Sequence, residues 1–282
     1  MTEVMSTLFT VSVLIFVLSS MFGLGLGLTI QQVFAPLKKV SLIAKALVAS
    51  FVLTPLLAYA LARIIGLDQQ LAIGLFILGV SAGSPILAKF SQIAKGDLAY
   101  TLGLMVLLQV VTIIFAPLVL PLLLENIQVD SWGMLQSLIT TMLIPLAAGL
   151  FVKARYEELA QSLSPYMTQA SSITLMVQVV LGVLLTGGDL LGLLGTGALL
   201  AALLFITISL VLGYFLGGPD RDTRVVIGLG TAQRNISAAM LITVQNFAEP
   251  KVLVMVLAGA ALMLVINPLV AGEFGKRAAG EK

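Results

Sequence analysis

Two basic side chains, Lys89 and Arg234, lie inside long apolar stretches and are the residues best placed to do chemistry in this chain. A charged side chain at the centre of a membrane helix costs roughly 2.5 to 3.5 kcal/mol even on the lenient insertion scale, so such residues serve a function. All thirteen acidic residues fall in polar breaks, tails or helix ends. Because no acid at depth is available to neutralise these cations, the pattern predicts a site for an anion.

Each cation lies in a run of polar and helix-breaking residues. Before Lys89 the sequence reads Gly83-Ser84-Pro85, and a proline removes a backbone donor and disfavours helix in the residue before it. Around Arg234, five weak or polar positions fall within six residues, namely Gly230, Thr231, Gln233, Arg234 and Asn235. Irregular backbone at membrane depth is tolerated where it is buried in protein or lines a water-filled cavity. The two runs therefore predict two broken helices that cross at a binding site.

The predicted substrate-binding residues are Ser84, Pro85, Lys89, Thr231, Gln233, Arg234 and Asn235. Asn235 and the backbone amides that open the second half-helices, after Pro85 and after Arg234, would hold a carboxylate. An arginine keeps its charge at any accessible pH. Two alternatives stay open: the polar side chains could hydrogen-bond between packed helices, and Lys89 could extend to the inner membrane surface.

The composition places the chain among membrane proteins. Of 282 residues, 59% are hydrophobic and 10% are charged, and the mean hydropathy is +1.12. Cysteine and histidine are absent, which removes thiol nucleophiles, the usual zinc ligands and the near-neutral proton shuttle. With about 20 apolar residues per span, little chain is left for a catalytic domain. We expect no enzyme, cofactor or metal, and the net charge of +2 is too small to predict a nucleic-acid partner.

Hydrophobic runs between polar breaks predict an all-α fold, a single membrane domain over residues 1–282 with nine transmembrane helices. The predicted spans are 8–30, 40–65, 71–93, 98–124, 134–152, 165–185, 193–216, 225–247 and 252–270. Alternate loops carry ten basic residues on one side and two, Arg63 and Lys251, on the other. Basic loops stay in the cytoplasm, so the N-terminus is expected outside and the C-terminus inside, in a bacterial inner membrane or its equivalent.

The two broken helices also suggest an internal repeat. When spans one to four are matched with spans six to nine, the third pairs with the eighth, and the odd offset gives the two copies opposite orientations. Inverted repeats with paired broken helices are typical of secondary transporters, whose sites lie near the bilayer midplane.

Over nearly its whole length the chain resembles the bile acid:sodium symporter family. Residues 21–26, Met-Phe-Gly-Leu-Gly-Leu, are similar to the family's Met-Phe-Gly-Met-Gly-Leu segment, and residues 94–99, Ala-Lys-Gly-Asp-Leu-Ala, to its Ala-Arg-Gly-Asn-Val-Ala turn. Asn235 falls where the second broken helix has the Asn of a Gln-Asn pair. The resemblance implies a core domain and a panel, in the form that lacks the first of ten helices. The panel would be 8–30, 134–152 and 165–185, and the core the other six spans.

The resemblance also identifies an ion site whose residues are replaced here. Leu87 and Ala88 stand where the family has a Ser-Asn pair that helps to bind sodium, Gly230 stands where it has a Glu, and Arg234 stands where it has a Gln. Thr101 keeps a hydroxyl position of the site, but one hydroxyl cannot replace a carboxylate and an amide as ligands of a hard cation.

These observations predict a secondary transporter of a small organic anion, a carboxylate or a sulfonate, which works by alternating access in the lipid bilayer. It would be sodium-independent, with Arg234 and Lys89 replacing bound sodium. The alternatives are a sodium-coupled symporter of organic anions or bile acids, and a passive anion channel built on the same cations. A more distant one is a Schiff-base protein using Lys89.

Overall fold

The computed structural model describes residues 2–124 and 130–280, which form helices joined by short turns without a strand. This confirms the all-α prediction for the described chain. The helices are α1 (Thr2–Gly27), α2 (Ile30–Phe34), α3 (Val40–Val48), α4 (Thr54–Ile65), α5 (Gln69–Val80), α6 (Leu87–Ile93), α7 (Leu98–Leu123), α8 (Ser131–Leu138), α9 (Ile144–Arg155), α10 (Glu157–Gly192), α11 (Ala198–Leu216), α12 (Arg221–Ala232), α13 (Ile236–Asn246) and α14 (Pro250–Gly280). Two π-helical turns, Ala49–Leu53 and Ile139–Leu143, join α3 to α4 and α8 to α9.

Seven helical segments of the described chain are long and apolar enough to cross a membrane. They are Glu3–Gly27, Val40–Ile65, Leu98–Leu123, Ser131–Arg155, Ala198–Leu216, Arg221–Asn246 and Pro250–Ala279. Each overlaps one of the nine predicted spans. The predicted spans 71–93 and 165–185 are not among the seven, so the count of nine remains a prediction.

The helix that contains the predicted sixth span is longer than that span, because α10 begins eight residues before residue 165, at Glu157, and runs through Pro165. Glu157 and Glu158 lie in its first turn, where acidic side chains interact favourably with the helix dipole. A single proline removes one hydrogen bond without ending a helix of 36 residues.

Both predicted interruptions are present. Helix is absent from residues 81–86 between α5 and α6, and from residues 233–235 between α12 and α13. Gly83 has φ of +80°, and a Cβ there would lie 2.3 Å from the backbone nitrogen of Gln109, so this break presses directly on α7. The second break is shorter than the sequence predicts, because Gly230 and Thr231 complete the last turn of α12.

Side-chain caps fix where several helices begin. The Asp97 carboxylate accepts a hydrogen bond from the Tyr100 N–H at 2.9 Å at the start of α7, and it pairs with the Lys39 ammonium, also at 2.9 Å. Partial burial raises the pKa of Asp97, but the Tyr100 N–H and the Lys39 charge outweigh it and hold that pKa below its usual value.

The segment Arg221–Asn246, which contains α12 and α13, is enclosed by the rest of the molecule. In an apolar 18-residue stretch of this segment, 94% of the residues are buried. The buried share of the corresponding stretch is 22% to 50% in the other six apolar segments. A segment with Arg234 at its centre is stable at membrane depth because protein, rather than lipid, surrounds it. Among the other helices, α1 packs along α9 and α10.

Candidate functional site

The two breaks meet through Asn235. Its backbone N–H donates to the Ser81 carbonyl at 2.8 Å, and its side-chain Nδ2 donates to the Gly83 carbonyl at 3.1 Å. Its Oδ1 accepts from the Ala238 N–H at 3.1 Å and so caps α13. One fully buried amide therefore ties the first break to the second and starts the helix that follows.

Arg234 is fully buried and is held entirely by backbone carbonyls. Nε donates to Leu78 at 3.0 Å, Nη1 to Thr231 at 3.3 Å, and Nη2 to Gly79 at 2.6 Å and to Ser50 at 3.2 Å. Three of these carbonyls lie in the last turns of α5 and α12, where the helix dipole is negative, and the fourth lies in a π-helical turn. The guanidinium thus occupies a cage of neutral oxygens, the ligand type that hard cations prefer.

A cavity of about 450 Å³ lies beside the first break, between α1 and α10 on one side and the first break, α6, α13 and α14 on the other. That volume is within the range of small-molecule sites. Its polar side chains are Ser19, Ser20, Ser84, Lys89, Thr168, Ser171, Ser172 and Ser237. Its apolar surface includes Phe16, Leu175, Ile236 and Leu264, so the cavity combines hydroxyl groups, one ammonium group and hydrocarbon.

The predicted site residues divide into two groups. Ser84, Pro85 and Lys89 line the cavity, whereas Arg234 and Asn235 are buried behind it. The remaining two, Thr231 and Gln233, make hydrogen bonds within the protein, which is the alternative that the sequence left open.

Thr231 and Gln233 bond within the protein. The Thr231 hydroxyl donates to Ile227 of its own helix at 2.7 Å and packs against Gly213 of α11. Gln233 accepts from the Asn267 side chain at 2.8 Å, which joins the second break to α14.

One face of the cavity presents hydrogen-bond acceptors. Five hydroxyl groups on α1 and α10, the hydroxyl wall, each donate their proton to a carbonyl of their own helix at 2.6 to 3.0 Å: Ser19, Ser20, Thr168, Ser171 and Ser172. A hydroxyl carries one proton, so what each offers to the cavity is its oxygen lone pairs. Sequence reasoning missed this wall, although the spacing 168, 171 and 172 places three hydroxyls on one helix face.

The opposite face, the donor wall, consists of Ser84, Lys89, Ile236 and Ser237. The Lys89 side chain is exposed to the cavity, and no ion pair or hydrogen bond joins its ammonium to another described residue. Ile236 and Ser237 are the first two residues of α13, and their N–H groups have no acceptor within the helix. The hydroxyl groups of Ser84 and Ser237 add two further donors.

A second cavity of about 320 Å³ adjoins the first and shares Leu175, Ile236 and Leu264 with it. Its lining is almost wholly hydrocarbon. It offers room for an apolar part of a molecule whose charged group lies at the donor wall.

The model of the sodium bile acid symporter family matches residues 13–193. The chain belongs to this family. It is 22% identical to the probable sodium/metabolite cotransporter BASS1, chloroplastic, of Arabidopsis thaliana over 92% of the chain and 65% of that protein. It is 29% identical to the uncharacterized sodium-dependent transporter YocS of Bacillus subtilis over 47% of the chain and 42% of that protein. A sodium-dependent organic anion transporter of Rattus norvegicus is 26% identical over 64% of the chain and 50% of that protein.

The chain thus spans between 42% and 65% of the length of these curated relatives. The relatives are named as transporters rather than enzymes. Family membership and the apolar helices together identify an integral membrane protein.

Two of the positions that the resemblance assigned to the ion site, Leu87 and Ala88, carry hydrocarbon side chains. Leu87 is buried, and a Cβ on Gly230 would lie 3.0 Å from its Cδ2, so the leucine occupies the space beside the glycine. Ala88 packs against the same core. The Thr101 hydroxyl lies 2.8 Å from the Ser91 hydroxyl and donates to the Asp97 carbonyl at 2.7 Å, which leaves it engaged within the protein.

Proposed function

We propose that the chain is a secondary transporter that carries a small organic anion across the membrane by alternating access, without bound sodium. The observation that carries this proposal is the unpaired ammonium of Lys89 in the cavity beside the crossing of the two broken helices. An unpaired cation among hydroxyl groups attracts an anion, and crossed half-helices are the usual place for a transport site.

In the proposed architecture, nine spans form two inverted repeats, with the N-terminus outside and the C-terminus in the cytoplasm. The panel comprises α1, α8 with α9, and α10, and the core comprises the other spans. The packing of α1 against α9 and α10 supports this division, as does the position of the cavity between α1 and α10 and the broken helices.

Two contacts support sodium independence. The Arg234 guanidinium takes four carbonyl oxygens that would otherwise be free to ligate a cation, and Leu87 fills the space beside Gly230. The names of these relatives include sodium, and we attribute the proposed loss of coupling to Arg234 and Leu87 of this chain. Arg234 acts as a built-in cation, while Lys89 contacts the substrate.

The polarity of the cavity indicates the substrate chemistry. The donor wall suits a carboxylate or sulfonate, whereas the hydroxyl wall presents acceptors and therefore suits hydroxyl or N–H groups on the same molecule. Binding costs free energy when a ligand removes these acceptors from water without offering them a hydrogen-bond donor. We therefore propose an organic anion that carries its own hydrogen-bond donors.

Thermal-shift measurements on the purified protein test these points, because a ligand stabilises by RT ln(1 + [L]/Kd). The ligands are lactate, propionate, pyruvate and methanesulfonate, each in sodium and in choline buffer. Lactate should bind about two- to tenfold more tightly than propionate, since one hydrogen bond is worth roughly 0.5 to 1.5 kcal/mol. Sodium should leave both affinities unchanged.

The matched variants are Lys89→Gln and Lys45→Gln. Both lysines lie in predicted spans and are exposed, but only Lys89 lines the cavity. Lys89→Gln should weaken lactate binding about tenfold to a hundredfold, the value of a charge-assisted hydrogen bond, and Lys45→Gln should not change it. A tenfold effect of sodium on affinity would instead establish a sodium-coupled symporter, and channel-like currents from reconstituted protein would establish a passive pore.

A further inference from the structure

We infer that the transporter is an obligatory exchanger, whose core changes sides of the membrane only while an anion is bound. This inference rests on the proposed function and specifies the mode of transport. Net movement of the anion into an anion-free compartment would then be far slower than exchange of one anion for another.

The first step of the argument is that the positive charge travels with the core. The four carbonyls that hold Arg234 belong to α5, α12 and the π-helical turn before α4, all of which lie in the proposed core. Lys89 lies on α6, in the same unit. A movement of the core relative to α1 and α10 therefore carries both cations with it.

The second step is that the protein does not neutralise these charges. None of the ion pairs among described residues includes Lys89 or Arg234. Without substrate the site carries two positive charges, and with a bound monoanion it carries one.

The third step is the dielectric cost of moving charge. The solvation penalty of a charge in a low-dielectric medium grows with the square of the charge, so the Lys89 ammonium is costly to enclose alone, whereas Lys89 paired with a bound monoanion has no net charge and a much smaller penalty. Passage between the two faces moves the site away from the water that enters its cavity. The barrier is therefore much lower for the anion-loaded core than for the empty one.

The last step separates this protein from a carrier that uses a dissociable ion. A bound ion can leave after the substrate has left, and the uncharged empty carrier can then return. Arg234 is covalently part of the chain and keeps its proton, so the empty site has no uncharged form. Return requires a second anion, which makes exchange the expected activity.

The test uses proteoliposomes loaded with ¹⁴C-lactate in sodium-free buffer, or with ¹⁴C-pyruvate if it gives the larger thermal shift. Efflux is measured into medium without the anion and into medium that contains the same anion unlabelled. We expect efflux to be at least about tenfold faster into anion-containing medium, which corresponds to 1.4 kcal/mol in barrier height. Equal efflux rates would overturn the inference and indicate a uniporter.

The two proposals fail in different ways. Absence of any thermal shift with lactate, pyruvate and methanesulfonate would contradict the proposed function itself. Binding and transport with equal efflux rates would contradict exchange alone.

A second measurement follows reorientation directly. The chain has no cysteine, so Leu24→Cys on α1, which lines the cavity outside both walls, is a single reporter that an impermeant maleimide labels from whichever side the cavity faces. Without anion, labelling should occur from one side of the membrane. Added lactate should produce labelling from the other side as well, and labelling from both sides without an anion would contradict the inference.

Arg234→Gln tests the role of charge directly, because it removes one positive charge from the core and keeps a polar side chain. With one positive charge fewer, the empty core should move more readily, so efflux into lactate-free medium should rise about tenfold relative to efflux into lactate medium. Lys45→Gln, which removes a charge outside the cavity, should leave the ratio unchanged. If Arg234→Gln does not fold, the efflux ratio and the labelling of the parent still decide the question.

Discussion

Replacing Arg234 by alanine tests whether this side chain acts as a built-in cation. The four hydrogen bonds from the guanidinium to Leu78, Gly79, Ser50 and Thr231 would be lost, and four buried carbonyl oxygens would remain. Each hydrogen bond to a charged group contributes about 1.5 to 3 kcal/mol, but their sum overstates the effect because burying the guanidinium costs several kcal/mol.

We therefore expect Arg234→Ala to lower the free energy of unfolding by about 3 to 5 kcal/mol, because four buried carbonyl oxygens lose their donors at about 1 to 3 kcal/mol each, while the cost of burying the guanidinium is recovered. For a chain of this size this corresponds to roughly 6 to 20 °C in Tm. The carbonyl cage is then open to a small cation, since helix C-terminal ends and unwound carbonyls are common sodium ligands. Sodium should raise the Tm of Arg234→Ala and leave that of the parent unchanged.

The assay is thermal unfolding in detergent at constant ionic strength, in sodium and in choline buffer. Arg221→Ala is the matched control, because Arg221 also donates to backbone carbonyls, those of Ala94, Lys95 and Phe274, but its side chain is 27% exposed and water can replace it. Arg221→Ala should lower the free energy of unfolding by about 1 kcal/mol or less, and sodium should not change its Tm. A Tm of Arg234→Ala within 2 °C of the parent value, or an equal sodium response in both proteins, would refute the built-in cation; the 2 °C margin corresponds to about 0.5 to 1 kcal/mol.

Three further predictions concern other parts of the molecule. Gly230→Glu should destabilise the protein by about 1 to 3 kcal/mol, because its Cβ would lie 3.0 Å from Leu87 Cδ2, and adding Leu87→Ser should recover part of the loss in a double-mutant cycle. Single cysteines at Glu3 and Lys276 should react with impermeant reagents from the outside and the inside respectively, and reaction of both from one side would contradict an odd number of spans. Asp97→Ala should lower the free energy of unfolding by about 1 kcal/mol, because α7 loses its N-terminal cap. Since the folded-state pKa of Asp97 is lowered from 3.8, its contribution should be present above pH 4 and be lost as the pH falls through that lowered value, which a pH series of unfolding curves would measure.

The sequence determines the helical membrane class. Long apolar runs can satisfy their backbone hydrogen bonds in lipid only as helices or closed barrels, and these runs lack the alternation of apolar and polar residues that is typical of strands. It also determines both breaks, since Pro85 and the polar run at residues 233–235 interrupt helix locally. The isolation of Lys89 and Arg234 from any acid is likewise visible in the order of residues alone.

The tertiary structure decides what these residues contact. Arg234 and Ser50 are 184 residues apart, and no local pattern indicates that a π-helical turn supplies a carbonyl to this guanidinium. The same holds for Leu87, which fills the space beside Gly230, and for the hydroxyl wall, which comes from two separate helices. Hydrophobic periodicity and backbone propensity act over a few residues and so specify the helices, whereas the partners of a buried charge depend on how distant helices pack. That packing divides two cations that look alike in sequence into one enclosed by carbonyls and one open to a cavity.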